Sequence, residues 1–120
     1  MPAHHDTSDL RTLRDLIRQF VDERDWAQFH TPKNLAMAMS IEAAEVMEHF
    51  QWLPTGRELD EARRLAVGHE LADVLVYLVR LADTLEIDLP AAVADKMQLN
   101  REKYPAERVR GDARKYTEYD

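Results

Sequence analysis

Residues 71 to 82 read LADVLVYLVRLA, and Asp73 and Arg80 are the only formal charges in the run. The stretch exceeds the usual length of a strand, and no glycine or proline interrupts it. A helix that is apolar nearly all round has to be covered on more than one side. The rest of the chain, or further copies of it, must therefore supply helices to pack against. Three glycines and five prolines in 120 residues, with 45% hydrophobic and 32% charged positions, leave few turn residues for a many-stranded sheet. The expected class is all-α.

Local signals place four helices in one domain over residues 1 to 120, with a core from about residue 8 to 105 and a tail from 106 to 120. The first begins near Thr7 or Ser8 as cap and carries Leu10, Leu13, Ile17, Phe20 and Val21 at helical spacing, ending near Arg24 or Asp25. Thr31-Pro32 opens the second, a capping hydroxyl followed by proline at the first helical position, and the pattern runs to about Trp52. Pro54 and Gly56 mark a loop before a third helix that starts between Arg57 and Glu61. Asp88 caps a fourth, with Pro90 in its first turn, which Pro105 stops. Short connections make this a four-helix, bundle-like arrangement, and the highly charged segment after Pro105 is expected to have little regular structure.

Two acid pairs break the apolar pattern. On the second helix Leu35, Met39, Val46 and Leu53 share a stripe, from which Glu42 projects with Glu45 at its edge; Glu48 points the opposite way. On the third, Glu70 and Asp73 share a face with Tyr77. An ionised carboxylate in a core needs a partner, so four converging acids would have to protonate or take up cations. Carboxylate oxygens without thiolate or imidazole suit Mg²⁺, or Mn²⁺, which keeps waters and takes phosphate oxygens as further ligands. That chemistry points to phosphate esters or anhydrides. A di-iron carboxylate bundle would instead carry E-x-x-H; here His49 follows Glu45 by four positions.

The remaining features exclude more than they identify. The formal charge of −7 argues against holding nucleic acid through many phosphates. No basic region precedes an apolar run at the N-terminus and no 18 consecutive residues are apolar, so neither a signal peptide nor a membrane span is expected. Without cysteine there is no disulfide and no thiol chemistry. A cytoplasmic location is the default.

E-x-x-E at 42 and 45 followed by E-x-x-D at 70 and 73 resembles the signature of the all-α nucleoside triphosphate pyrophosphohydrolases, the MazG-like superfamily. The blocks ERDWAQFHTPKNL, EAAEVMEHFQW, ELADVLVYL, DLPAAVADKM, NREKYPAE and RKYTE, in this order, are similar to its dCTP pyrophosphatase branch over residues 10 to 118. The resemblance implies a Mg²⁺-dependent cleavage between the α- and β-phosphates, giving monophosphate and pyrophosphate for control of the nucleotide pool. It implies metal ligation by Glu42, Glu45, Glu70 and Asp73, with Glu45 or Glu42 taking the proton of the attacking water. Trp26 and Trp52 match the aromatic residues that bracket the base, and His30 and Asn100 are polar residues in matching blocks; Tyr77, on the face of Asp73, either lines the pocket or fills core. Lys96, Lys103 and Tyr104 match the triphosphate-contacting region. One departure is Ile17, where the family carries histidine, which bears on base choice. The resemblance also implies a homo-oligomer, a tetramer, whose sites are completed by neighbouring subunits. Two other readings fit the same acids: a house-cleaning hydrolase with no strict base choice, and a non-catalytic helical interaction module with structural Mg²⁺.

Overall fold

The computed structural model describes residues 9–113 and residue 117. Its helices are α1 (Leu10–Glu23), α2 (Pro32–Glu48), α3 (Glu61–Thr84), α4 (Leu89–Lys103) and a single turn, α5 (Ala106–Val109). A 3₁₀ turn, Ala27–Phe29, sits between α1 and α2. The all-α class follows, with no strand among the described residues. The chain divides into two compact units, residues 1–87 and 88–120.

Each long helix starts where a side-chain oxygen can satisfy a free backbone N–H. Thr31 accepts from the Asn34 amide at 3.2 Å and Asp88 from the Ala91 amide at 3.2 Å, as their sequence context predicts. Asp60 accepts from the Arg63 amide at 2.7 Å and so starts α3 at Glu61. The cap of α1 is Asp9, which accepts from the Arg11 amide at 2.8 Å; the expected caps Thr7 and Ser8 lie outside the described residues. Such caps are each worth about 1 kcal/mol.

In the first unit, α3 runs antiparallel to α2. Glu70, in its N-terminal half, lies beside Glu42 and Glu45, whereas Arg80, ten residues on, donates to His30 just ahead of α2. Arg18 of α1 grips Asp83 of α3 through a two-pronged pair, with Nε to Oδ2 at 2.6 Å. The buried apolar core joins these helices: Ile17 and Val21 from α1, Leu35 from α2, and Val67, Val79 and Ala82 from α3.

Both α1 and α3 end in the same hydrogen-bonded turn. Asp25 (φ 53°) and Glu86 (φ 55°) take the left-handed conformation, Asp25 N–H reaching the Asp22 carbonyl at 3.2 Å and Glu86 N–H the Asp83 carbonyl at 3.1 Å. The next amides, of Trp26 and Ile87, close onto Val21 at 3.1 Å and Ala82 at 2.8 Å. This is the Schellman arrangement, here without glycine. It folds the chain back so that Trp26 meets Phe20 edge-on, with ring centres 5.7 Å apart.

Two sequence expectations change, and the cover expected for the 71–82 helix is incomplete in one chain. Helix α2 ends at Glu48 and not near Trp52, because bonds three residues apart (Phe50 to Met47 at 2.9 Å, Leu53 to Phe50 at 2.9 Å) tighten the chain into turns ahead of Pro54. The tail carries one helical turn, Ala106–Val109, where little regular structure was expected; its Arg108 and Val109 amides close onto the Pro105 carbonyl. Within one chain, the segment 71–82 is not covered on all sides: Leu71 is 53% exposed, and Leu75, Val76 and Leu78 are also exposed.

The 49–60 connection is pinned by Glu58, whose carboxylate accepts from the Thr55 hydroxyl at 2.6 Å and the Gly56 amide at 2.9 Å. Gly56 has φ +88°, and a Cβ there would stand 2.9 Å from the Phe50 ring, so this turn needs glycine on both counts.

Candidate functional site

Glu42 and Glu45 lie three positions apart on α2, and α3 brings Glu70 against them. One oxygen from each of the three carboxylates lies within 4.8 Å of the others, and all three side chains are half-buried. The inner oxygens Glu42 Oε2 and Glu70 Oε2 are sealed from solvent with no hydrogen-bond partner. The Glu42 pKa is pushed up to about 8, first by the hydrogen bonds that a protonated Glu42 makes with Glu70 and Glu45, then by burial and the negative charge of both neighbours. With all three ionised, nothing satisfies the inner oxygens. A hard divalent cation fits this group on the chemistry of its donors, since it replaces the missing proton and takes oxygens only.

Asp73 stands apart from that group. The sequence expectation was four converging, inward acids; three converge, and Asp73, one turn beyond Glu70, is exposed. It lines, together with Glu42, a cavity of about 460 Å³ between α1 and α3. Leu16, Ile17, Phe20 and Val21 form the α1 wall. Val76, Tyr77 and Arg80 face them from α3, while Trp26 and His30 come from the connector. The result is an apolar, aromatic slot with acids beside it, suited to a flat ring that carries a charged tail.

On the cavity wall, Arg80 Nε donates to His30 Nδ1 at 3.1 Å, and Arg80 also pairs with Asp83 at 3.7 Å. Burial, and secondarily the Arg80 charge, lowers the His30 pKa below its ordinary value, so the ring is neutral near pH 7.

A model of the MazG-like family matches residues 37–119, more than half of the chain. The chain belongs to the MazG-like family. It is similar to the human and rat proteins named dCTP pyrophosphatase 1, with 46% and 45% identity over 113 residues, which cover 91% of this chain and 66% of each relative. It therefore spans just under two thirds of the length of these curated relatives. A crystal structure of a pyrophosphatase from Archaeoglobus fulgidus DSM 4304 superposes with a TM-score of 0.76 at 46% identity, covering 85% of this chain and 97% of that one. The E-x-x-E and E-x-x-D pairs both fall within the matched residues 37–119.

Not all the residues singled out in the sequence come together in this MazG-like chain. Trp26, His30 and Tyr77 share the cavity with Glu42 and Asp73, but Trp52 sits in the turns after α2, 86% exposed and outside the cavity lining. Lys96 and Asn100 lie on α4 in the second unit, Lys103 is its last residue, and Tyr104 is its C-cap, with its amide on the Asn100 carbonyl at 2.8 Å. Most of the terminal block RKYTE lies outside the described residues. The cavity also contains residues without a functional role in the sequence reading: Leu16, Phe20, Val21, Val76 and Arg80. For Arg80 a signal existed, as one of only two charges in the run from 71 to 82. Among the described residues no helix is long and apolar enough to cross a membrane.

Proposed function

We propose that this MazG-like chain is a nucleoside triphosphate pyrophosphohydrolase that converts dCTP, or a modified dCTP, to dCMP and pyrophosphate, and so controls the nucleotide pool of the cytoplasm. The observation that carries the reading is the pair of partnerless inner oxygens on Glu42 and Glu70, beside Glu45 and at the edge of an aromatic-lined cavity with room for a nucleobase. The name of the human relative, dCTP pyrophosphatase 1, supports the choice of base and reaction.

In this reading Glu42, Glu45 and Glu70, with Asp73 at the cavity side, hold Mg²⁺ or Mn²⁺. Bound there, the ion supplies charge neutralisation for the triphosphate and Lewis acidity at its phosphates. The carboxylate of Glu45, or of Glu42, accepts a proton from the water that attacks the α-phosphorus. Trp26 offers its ring face to the base, and Tyr77 and His30 bound the slot. Lys96, Lys103 and Tyr104 are assigned to the triphosphate, Asn100 to the base edge and Trp52 to the far face of the base, all on the family resemblance. The exposure of Trp52 and of the α3 apolar face supports a homo-oligomer, a tetramer in this proposal, in which a neighbouring subunit covers both. The family match from residue 37 to 119 crosses both compact units, which supports treating the chain as one functional domain.

A broader hydrolase with weak base choice is the second reading, favoured by one observation: Ile17, 8% exposed, puts a hydrocarbon on the cavity wall where a polar side chain would discriminate bases. An assay of pyrophosphate release with Mg²⁺ across dCTP, 5-modified dCTP, CTP, dUTP, dTTP, dATP and dGTP separates the readings. Monophosphate and pyrophosphate formed fastest from a deoxycytidine substrate supports the first, and equal rates across the dNTPs the second. Metal binding without turnover of any nucleotide would mean a non-catalytic module. Glu42→Gln and Glu45→Gln should each abolish turnover while leaving the helical circular dichroism unchanged; activity retained in both sinks the assignment.

A further inference from the structure

We propose that Arg80, anchored by Asp83 and through it by Arg18, fixes His30 as its Nε2–H tautomer and thereby sets a permanent hydrogen-bond donor on the cavity wall, directed to an acceptor edge of the bound base. The recognition half of this rests on the nucleotide reading above; the tautomer half does not.

The geometry is a relay across three elements. Arg18 of α1 holds both oxygens of Asp83. The Asp83 side chain, only 10% exposed, in turn pairs with Arg80, 11% exposed, one turn back on α3. Arg80 Nε then donates to His30 Nδ1 in the connector. Guanidinium has hydrogens and no acceptor, so the ring nitrogen facing it must be the unprotonated one. In a neutral imidazole the proton is then on Nε2, the only other polar atom of the ring. Burial and the adjacent positive charge both disfavour a second proton, which agrees with this assignment. His30 lines the cavity among mainly hydrocarbon and aromatic side chains, and its Nε2–H is one of the few donors there, with those of Arg80, Tyr77 and Trp26.

Asp83 is thus a positioning residue, and Arg80, which also lines the cavity, positions the His30 ring from beside the ligand space. A ligand fits only if the part that meets His30 accepts a hydrogen bond, as a ring carbonyl or an unprotonated ring nitrogen does, and an N–H edge is rejected. Arg80→Met removes the donor to Nδ1 while Arg18 still holds Asp83, so the fold keeps its α1–α3 tie. Arg80→Lys restores a donor of the same charge.

The test has two readouts on the full chain. Nitrogen-15 NMR of the histidine rings, recorded without nucleotide, should show Nδ1 unprotonated and Nε2 protonated for His30. Arg80→Met should shift both toward the averaged values of exchanging tautomers, and Arg80→Lys should reverse most of that change. A protonated Nδ1, or a ring indifferent to Arg80→Met, overturns the proposal. In the pyrophosphate assay with dCTP, Arg80→Met should raise KM by roughly 3–10-fold with a smaller change in kcat, the loss of about one neutral hydrogen bond. His30→Gln, whose amide nitrogen can stand where Nε2 stood, should lose less than His30→Asn. An unchanged KM in Arg80→Met with the tautomer shift present overturns the recognition half. Absence of turnover in the wild-type chain refutes the functional reading and the recognition half with it, while the NMR result still decides the tautomer.

Discussion

Raising the pH of the metal-free protein should loosen it, and removing one carboxylate should abolish most of that effect. The oxygens of Glu42, Glu45 and Glu70 lie within 4.8 Å of one another. At an effective dielectric of about 20, two charges at that separation repel by roughly 3 kcal/mol, and solvent reaching these half-buried groups reduces this to about 1–2 kcal/mol. The Glu42 pKa of about 8 in the folded chain is above the ordinary 4.5, so between those values the folded state keeps a proton that the unfolded chain has released. Stability then falls as pH rises from about 4.5 to about 8, and remains low above that window. His30 works in the opposite direction, its lowered pKa adding stability as pH rises through its ordinary 6.5. The decisive quantity is therefore the difference between wild type and Glu42→Gln, in which the His30 contribution cancels. Thermal melts in EDTA from pH 5 to 9 should show the variant gaining about 4–10 °C on the wild type across the window, at about 4–5 °C per kcal/mol for a chain of this size. Mg²⁺ at 100 times its Kd should raise the wild type by about 2.7 kcal/mol and leave the variant nearly unmoved. Parallel melting curves for the two proteins at all pH values would refute the account of the cluster.

Two substitutions test the frame that holds it. Leu35→Ala, at the most buried side chain of α2, should cost about 2–5 kcal/mol in urea denaturation; a cost below about 1 kcal/mol would mean that α2 is not seated on α3 as described. Gly56→Ala meets both the positive φ and the Phe50 ring, and should lower stability by about 1–2 kcal/mol, read as a lower melting temperature with the helical signal intact.

What could be read from the sequence was what neighbouring residues decide between themselves. Thr31-Pro32 and Asp88 announce helix starts because a cap bonds an amide only three residues away. Glu42, Glu45 and Glu70 stood out because helical spacing alone puts acids on otherwise apolar faces. Asp73 illustrates the boundary: its spacing from Glu70 matches that of Glu45 from Glu42, yet which oxygens converge depends on how α3 rolls against α2, and that rotation leaves Asp73 at the cavity and out of the trio. The end of α2 escaped for a different reason. MEHFQW has ordinary helical composition, and only the three-residue hydrogen bonds at Phe50 and Leu53 turn the chain away. The Arg80–His30 contact spans fifty positions, so no window of sequence contains it.

The Schellman turn after α1 is closed by backbone amides and carbonyls, with no bond from the side chain of residue 26, and it sets the direction in which that residue leaves the helix. The side chain at that position is consequently a replaceable fitting on a fixed mount. A tyrosine, a phenylalanine or a smaller residue could be exchanged for Trp26 without re-routing the chain. The aromatic wall of the slot is thus a part that selection, or an engineer, can alter independently of the acid trio.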